Sequence, residues 1–185
     1  MTDKRSLPFA RSYWVQSGKL LAGCYPGSAD YEEGVKKLSG LLDCGIRHVI
    51  NLMEEGEKDK SGQPFVPYEN VFIALGEAKG IEASITRMPI RDVSVPTPQA
   101  MRAILDEINK FISINRPVYV HCWGGRGRTG TVVGCYLVRH GLTGKEALKK
   151  IKELRRNEST GYLPSPETRE QIKMVLSWGK LDKKS

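Results

Sequence analysis

The hydrophobic pattern of the chain alternates between short apolar runs and longer runs with helical spacing. The run IRHVINLM (46–53) is rich in β-branched residues and nearly all apolar, which is typical of a strand buried on both faces of a sheet. In the stretch 97–112 apolar residues recur at helical spacing after Thr97-Pro98, a typical helix start. Similar patterns predict further strands at 13–15, 20–27, 81–90 and 118–121, and further helices at 30–43, 68–80, 128–140, 143–154 and 165–178. The alternation predicts an α/β fold with a mostly parallel central sheet flanked by helices.

Length and composition are those of one globular domain. The 185 residues are 39% hydrophobic and 27% charged, which argues against an intrinsically disordered chain. We expect a single domain over 1–185 with its core at about 10–178. We further expect a mobile charged loop at 54–64 and a short frayed basic tail at 180–185.

The formal net charge of +8 favours anionic partners, which include phosphorylated proteins, inositol phosphates, anionic lipid and nucleic acid. Nucleic acid is the weakest of these, because the chain has no recognised nucleic-acid motif and no aromatic residues interleaved with its basic runs. We therefore expect the partner to be a phosphorylated protein or a phosphorylated small molecule such as an inositol phosphate. We expect the chain to be a monomer.

The remaining composition excludes several other classes. No apolar run approaches the ~20 residues of a membrane span, and the N-terminal residues lack the apolar segment of a signal peptide. The four cysteines do not make a disulfide scaffold in a chain of this length, and no Cys or His pair has the spacing of a zinc site. We therefore expect a cytoplasmic protein with reduced thiols, no metal and no cofactor.

The stretch HCWGGRGRTG (121–130) has the composition of an anion-binding loop. It lies between a predicted strand and a predicted helix, so it is at the carboxyl end of a central strand and at a helix N-terminus. Gly124, Gly125 and Gly127 permit backbone angles at which successive N–H groups point into one concavity. The loop is therefore a candidate phosphate site.

Side chains at the two ends of this loop can act on a bound phosphate. Arg128 offers a planar fork that matches two phosphate oxygens. Cys122 begins the positive cup, where a thiolate is favoured, and the Thr129 hydroxyl can hydrogen-bond that thiolate. Such a pairing favours attack on phosphorus and a cysteinyl-phosphate intermediate. The alternative is that Cys122 is a buried structural thiol, as a lone cysteine commonly is.

The pattern His-Cys-x5-Arg-Thr-Gly, from His121 to Gly130, resembles the signature of the cysteine-based protein tyrosine and dual-specificity phosphatases. The resemblance implies the phosphatase fold, with Cys122 as nucleophile and Arg128 stabilising the transition state. It also implies that His121 orients the loop and supports the thiolate. The phosphate-binding positions that it implies are Trp123, Gly124, Gly125, Arg126, Gly127 and Arg128.

A second motif, MPIRDVSVPTP (88–98), resembles the loop from which these enzymes supply a general acid. Asp92 lies in it about thirty residues before Cys122, which agrees with the spacing in the family. The resemblance implies that Asp92 protonates the leaving group and then acts as base on the hydrolytic water. The alternative is a turn or cap residue, although Thr97-Pro98 already supplies the start of the next helix.

A third motif, PETREQ (166–171), resembles the loop that orients the hydrolytic water in tyrosine-specific members. Thr168 and Gln171 match the pattern, while Glu167 stands where a glutamine is expected. By this resemblance Gln171 orients the water; otherwise it is an ordinary helix residue.

Two loop positions bear on the substrate. Lipid phosphatases of this superfamily carry basic residues at the positions of Trp123 and Arg126, so here one of the two charges is present. Arg126 either contacts a second phosphate, as on an inositol ring, or is a solvated arginine at the rim of the pocket. The chain lacks the Lys-Asn-Arg-Tyr segment of larger tyrosine-specific domains, which points to the dual-specificity-like branch.

The leading interpretation is a metal-independent phosphomonoesterase that acts on phosphotyrosine in proteins, with phosphoserine and phosphothreonine as further substrates. One alternative is an inositol phosphate or phosphoinositide phosphatase. An alternative of another class is a pseudophosphatase, which would bind a phosphate without hydrolysing it.

Overall fold

The structure, a computed structural model, describes residues 6–183 and alternates strands with helices as the sequence predicts. The strands are β1 (Ser12–Gln16), β2 (Leu20–Gly23), β3 (His48–Asn51), β4 (Ser84–Arg87) and β5 (Val118–His121). The helices are α1 (Tyr31–Asp43), α2 (Glu69–Ala78), α3 (Pro98–Ser113), α4 (Gly127–Arg139), α5 (Gly144–Leu154) and α6 (Arg169–Leu181). None of these six helices has both the length and the apolar character needed to cross a bilayer.

The strands form one sheet in the order β1-β2-β5-β3-β4. β5 lies at its centre, parallel to β2 and β3, and β4 continues the parallel arrangement; β1 is antiparallel at the edge. His121, the last residue of β5, pairs with Gly23 on one side and with Asn51 on the other. The predicted fold class is therefore confirmed, and the glycine-rich loop leaves from the carboxyl end of the central strand.

Two hydrophobic cores cover the faces of the sheet. Val118 and Val120 of β5 belong to a core that also contains residues of α3, α4, α5 and α6. Tyr119, between them, belongs to the core formed with α1 and α2. Because β5 is wholly buried between the two layers, the loop that follows it starts from a firmly packed position.

Three predicted strands, 20–27, 46–53 and 81–90, were too long, and for the first of them the reason bears on the site. Residues 24–27 follow β2 but leave the sheet, because the backbone N–H of Cys24 donates to Arg11 and that of Tyr25 donates to Trp123. These bonds support the glycine-rich loop from the side instead of extending the strand.

The predicted limits of the last helix were wrong at both ends. α6 begins at Arg169 rather than near Ser165, because Thr168 and Gln171 form a reciprocal capping box that sets its first turn. It continues through Leu181, and Asp182 forms an ion pair with Arg139 at 2.5 Å. The frayed tail predicted from residue 180 is therefore helical and anchored up to Asp182, while residues 184 and 185 lie outside the described part of the chain.

Candidate active site

The glycine-rich loop wraps around the thiol of Cys122, which is buried at 3% exposure. The Thr129 hydroxyl, in the first turn of α4, donates a hydrogen bond to Sγ at 3.1 Å. Gly125 has a φ of 69°, and a Cβ there would lie 2.5 Å from the backbone of Gly23. Only glycine fits this close approach, which seats the loop against the end of β2.

His121 orients the loop without carrying a charge. Its Nδ1 lies 3.1 Å from the carbonyl oxygen of Cys122, and its Nε2 lies 2.6 Å from the hydroxyl of Tyr68. Burial lowers the pKa of His121 to about 3 and raises the pKa of Tyr68 well above its ordinary value, so the ring is neutral and the phenol keeps its proton. Tyr68 therefore donates to Nε2, and Nδ1–H donates to the Cys122 carbonyl.

Arg128 is 1% exposed and is held by a carboxylate from a distant loop. Its Nη1 and Nη2 each donate to one oxygen of Glu57, both at 2.7 Å, and Nη1 also donates to the carbonyl of Ile90 at 3.1 Å. Burial would lower the pKa of Arg128, but the hydrogen bonds to Glu57 and the charges of Cys122 and Asp92 raise it above its ordinary value. The guanidinium therefore stays a cation inside the protein.

The Nε–Nη2 edge of the Arg128 guanidinium lies beside Asp92, and both residues line one pocket. The Nε of Arg128 is buried and has no hydrogen-bond partner among residues 6–183, and its Nη2 lies 3.0 Å from Oδ1 of Asp92. A phosphoryl group that used this edge would satisfy Nε and take the place of Asp92 on Nη2. Glu57 and the phosphoryl group would then occupy two different edges of the same cation.

Asp92 lies on the loop between β4 and α3, as the sequence predicts, and its side chain is 53% exposed. It lines a cavity of about 290 Å³ together with Cys122, Arg128 and the glycine-rich loop. The next residue, Val93, is 58% exposed and has a φ of 52°, a conformation that is rare for a β-branched residue. The candidate nucleophile Cys122, the candidate phosphate-binding Arg128 and the candidate acid Asp92 are thus brought to one pocket.

A larger cavity of about 670 Å³ lies behind the loop that carries Glu57. It contains none of the candidate catalytic side chains, and four glutamates, at positions 54, 55, 57 and 69, line it. Their charge disfavours an anion. We therefore assign the phosphate site to the smaller cavity.

Three further cations surround the smaller cavity. Arg126 forms an ion pair with Glu167, so the residue that the sequence suggests for a second phosphate already has an anionic partner. Arg11 donates from Nη2 to the carbonyl of Gly124 at 2.8 Å, and Nζ of Lys60 lies 5.5 Å from the ring centre of Trp123. Both line the same cavity as Cys122.

Gln171 is fully buried in the first turn of α6, and both ends of its amide are bonded to the chain. Its Oε1 accepts from the backbone N–H groups of Glu167 and Thr168, at 3.0 and 3.1 Å. Its Nε2 donates to the carbonyl of Ser94, two residues after Asp92, at 3.1 Å. The amide approaches the glycine-rich loop at Gly127, where a Cβ would lie 3.2 Å from it.

Sequence reasoning missed Glu57, Arg11 and Tyr68. Glu57 lies in the stretch interpreted as a mobile charged loop, and the structure instead ties that loop to Arg128 across 71 positions of sequence. Arg11 and Tyr68 reach the loop across separations of 113 and 53 positions. No local motif marks any of the three; the only available signal was that Arg128, once buried, needs a carboxylate partner.

Comparison with known proteins places these features in a family. Residues 10–163 match the profile of a family described as the Swiss Army Knife protein, DSP-PTPase phosphatase domain. A phosphatidylinositol 3,4,5-trisphosphate 3-phosphatase and protein-tyrosine-phosphatase PTEN1 of Arabidopsis thaliana is 30% identical over 176 residues, covering 89% of this chain and 37% of that protein. A phosphatidylglycerophosphatase and protein-tyrosine phosphatase 1 of Rattus norvegicus is 30% identical over 119 residues, covering 62% of this chain and 55% of that protein. The chain thus spans at most about half the length of these two relatives.

Solved structures with less than 25% identity share the fold. Tk-PTP in its active form matches with a TM-score of 0.68 at 24% identity, covering 96% of this chain and 99% of that chain. PTPMT1 in complex with PI(5)P matches with a TM-score of 0.66 at 21% identity, covering 91% of this chain and 94% of that chain.

Proposed function

The chain belongs to the cysteine-based protein tyrosine phosphatase superfamily, in its dual-specificity-like branch, and on that premise we propose that it hydrolyses phosphomonoesters, phosphotyrosine in proteins first among them, through a phosphocysteine at Cys122. The observation that carries the proposal is that Arg128 and Cys122 line one cavity and that the buried Nε of Arg128 has no hydrogen-bond partner in the part of the chain that the structure describes. An oxyanion of the substrate would supply that partner.

The first step transfers the phosphoryl group to sulfur. The phosphate oxygens bind the backbone N–H groups of the loop and the free edge of Arg128, which displaces Asp92 from Nη2. The Cys122 thiolate forms the S–P bond as the bond from phosphorus to the ester oxygen breaks. Asp92, released from Arg128, takes up a proton from solvent and donates it to that oxygen, and the alcohol or phenol leaves.

The second step restores the enzyme. The Asp92 carboxylate takes a proton from water, and the water oxygen attacks phosphorus as the S–P bond breaks. The Thr129 hydroxyl, which lies 3.1 Å from Sγ, stabilises the departing thiolate. The products are inorganic phosphate and an enzyme with Asp92 protonated again.

Apolar side chains around the pocket favour an aryl phosphate. Trp123, Val93 and Leu163 line the same cavity as Cys122, and a cavity of about 290 Å³ has room for more than a phosphoryl group. An aromatic ring attached to the phosphate would contact these side chains. This supports phosphotyrosine as substrate.

A phosphoinositide or inositol phosphate is the second candidate. Arg11, Lys60 and Arg126 line the cavity and are the type of side chain that a further phosphate requires. The names of relatives agree with this candidate, since one is a phosphatidylinositol 3,4,5-trisphosphate 3-phosphatase and a structural neighbour was solved with PI(5)P.

We also propose a cytoplasmic location, because all four cysteines are free thiols.

The test is phosphate release, with chelator present, from an aryl phosphate, from peptides with phosphotyrosine, phosphoserine or phosphothreonine, and from a series of inositol phosphates and phosphoinositides. Cys122→Ser serves as the blank. We expect release that the blank lacks, highest with phosphotyrosine peptides. No release from any substrate by folded wild type would refute the proposal and favour a phosphate-binding module.

Arginine variants distinguish the two substrate classes. If Arg11 and Arg126 bind a second phosphate group of the substrate, Arg11→Met and Arg126→Ala should reduce turnover of polyphosphorylated inositides far more than turnover of the aryl phosphate. Lys145→Ala, an exposed residue of α5, is the control for lost charge. Equal losses of turnover on both substrates would refute the hypothesis that these arginines bind a second phosphate. Arg126 would then be a residue at the rim of the pocket that forms an ion pair with Glu167.

A further inference from the structure

The structure assigns Gln171 a positioning role: we propose that its amide holds the acid loop, residues 91–95, so that Asp92 stays over the phosphate site during catalysis. This inference rests on the proposed function, because it concerns the same reaction. It differs from the role suggested by sequence, in which Gln171 orients the hydrolytic water.

The first observation is the bond from Gln171 to the acid loop. Nε2 donates to the carbonyl of Ser94 at 3.1 Å, across 77 positions of sequence, and the side chain is wholly buried. Oε1 is held in turn by the backbone N–H groups of Glu167 and Thr168. The amide therefore has a fixed orientation, and it ties the acid loop to the rigid first turn of α6.

The second observation is that the acid loop requires such an anchor. Val93, between Asp92 and Ser94, has a φ of 52° and an exposed side chain, so its own packing does not stabilise this conformation. A non-glycine residue in this region costs ~1–3 kcal/mol unless its surroundings hold it there. The loop would relax, and Asp92 would move, if the flanking bonds were absent.

The third observation is that the ion pair of Asp92 itself is the contact that the substrate displaces. Oδ1 of Asp92 lies 3.0 Å from Nη2 of Arg128, on the edge that we assign to the phosphoryl group. Once the phosphoryl group binds there, Asp92 no longer has Arg128 as its partner. The bond from Gln171 to Ser94 then remains beside Asp92 at the moment when the proton is transferred.

The capping box of α6 offers a variant that removes this one bond. In Gln171→Glu, a carboxylate oxygen can still accept from Glu167 and Thr168, and glutamate is as suitable as glutamine at this capping position. What is lost is the N–H donor, because a carboxylate can only accept and so repels the carbonyl of Ser94. We therefore expect the helix start to stay intact, and because the new carboxylate is buried, urea unfolding establishes that the variant is folded before its rates are compared.

The experiment measures turnover of two aryl phosphates, one with a good leaving group (2,4-dinitrophenyl phosphate) and one with a poor leaving group (phenyl phosphate). Gln171→Glu should reduce kcat/KM for phenyl phosphate by ~10- to 100-fold, part of the ~10²–10⁴-fold that a general acid supplies. The two esters are compared by kcat/KM because it reports the formation of the phosphocysteine, whereas kcat also includes the hydrolysis of this common intermediate, in which Asp92 acts as base. The kcat/KM of the dinitrophenyl ester should change much less, since that leaving group needs no proton. Gln171→Met, which adds no charge, should alter the ratio of the two rates in the same direction.

Asp92→Asn distinguishes failure of this inference from failure of the proposed function. In the Asp92→Asn background, Gln171→Glu should not change the ratio of the two rates any further. If Asp92→Asn alone leaves the ratio unchanged, the acid role in the proposed function fails and the inference fails with it. If Asp92→Asn changes the ratio but the Gln171 variants lower both rates equally, Gln171 is only structural and the inference alone is overturned.

Discussion

Glu57 provides the sharpest test of how the phosphate-binding arginine is held. Its two carboxylate oxygens each accept from a different nitrogen of Arg128 at 2.7 Å, and both side chains are largely buried. In Glu57→Gln one oxygen can still accept, but the amide NH₂ would face a guanidinium N–H. One charge-assisted hydrogen bond is lost, and the guanidinium is free to rotate its Nε–Nη2 edge away from the pocket.

The size of the effect follows from that single bond. A hydrogen bond to a charged group contributes ~1.5–3 kcal/mol, so kcat/KM should fall by roughly 10- to 150-fold if the bond sets the geometry in which Arg128 binds the phosphoryl group. The loss should be the same for phenyl phosphate and for 2,4-dinitrophenyl phosphate, because Arg128 binds the phosphoryl group of both. Orthovanadate should also raise the unfolding temperature of the variant less than that of the wild type.

Glu55→Gln is the matched control, because Glu55 is exposed in the same loop and loses the same charge. Urea unfolding of both variants establishes that they are folded. The reasoning is refuted if folded Glu57→Gln retains wild-type kcat/KM, or if it loses no more than Glu55→Gln. A loss confined to phenyl phosphate would also refute it, since it would assign Glu57 to the proton transfer.

Two further predictions concern the acid and the buried histidine. Asp92→Asn should reduce kcat/KM for phenyl phosphate by ~10²–10⁴-fold and that for the dinitrophenyl ester far less; near-normal values for phenyl phosphate would place the acid elsewhere. The pKa of His121 falls from 6.5 to about 3 on folding. As the pH is lowered, the unfolded chain therefore binds a proton at this residue before the folded chain does. The contribution of His121 to the free energy of unfolding is complete above pH 6.5 and is lost as the pH falls below that value. Urea unfolding should show a loss of ~1.4 kcal/mol per pH unit from this group below its unfolded pKa, with a shallower slope in His121→Asn; identical slopes would contradict a neutral His121.

The part of the site that sequence could predict is the part that local chain geometry builds. Cys122, Arg128 and Thr129 lie within eight positions, from the residue after β5 to the first turn of α4, so their spacing alone brings them to the same concavity. Asp92 was predicted from the resemblance of residues 88–98 to the acid loop of the family, and the meeting of parallel strand ends at one edge of the sheet brings it to the same place. The order of strands and helices was predicted correctly from the hydrophobic spacing, whereas the ends of several of them were not.

The contacts that hold this constellation join segments far apart in sequence, so no local pattern could reveal them. EEGEKDK presents three glutamates within four positions, and only the folded chain distinguishes Glu57, which reaches Arg128, from its exposed neighbours. The start of α6 was misplaced because Ser165-Pro166 and Thr168 are both plausible helix starts. The capping box between Thr168 and Gln171 decides between them.

The two carboxylates on Arg128 differ in burial, and that difference explains why they should have different functions. Glu57 has 11% of its side chain exposed and binds the Nη1–Nη2 edge, from which a phosphoryl group entering by the pocket would not displace it. Asp92 has 53% exposed and lies on the edge that faces the pocket, so the substrate takes its place on Nη2. In the proposed mechanism one carboxylate therefore keeps the guanidinium in orientation throughout the reaction, while the other is released when the phosphoryl group arrives and, once protonated, serves the ester oxygen. It follows that loss of Glu57 should impair every phosphomonoester alike, whereas loss of Asp92 or of its anchor Gln171 should impair the formation of the phosphocysteine from each ester in proportion to its need for a proton.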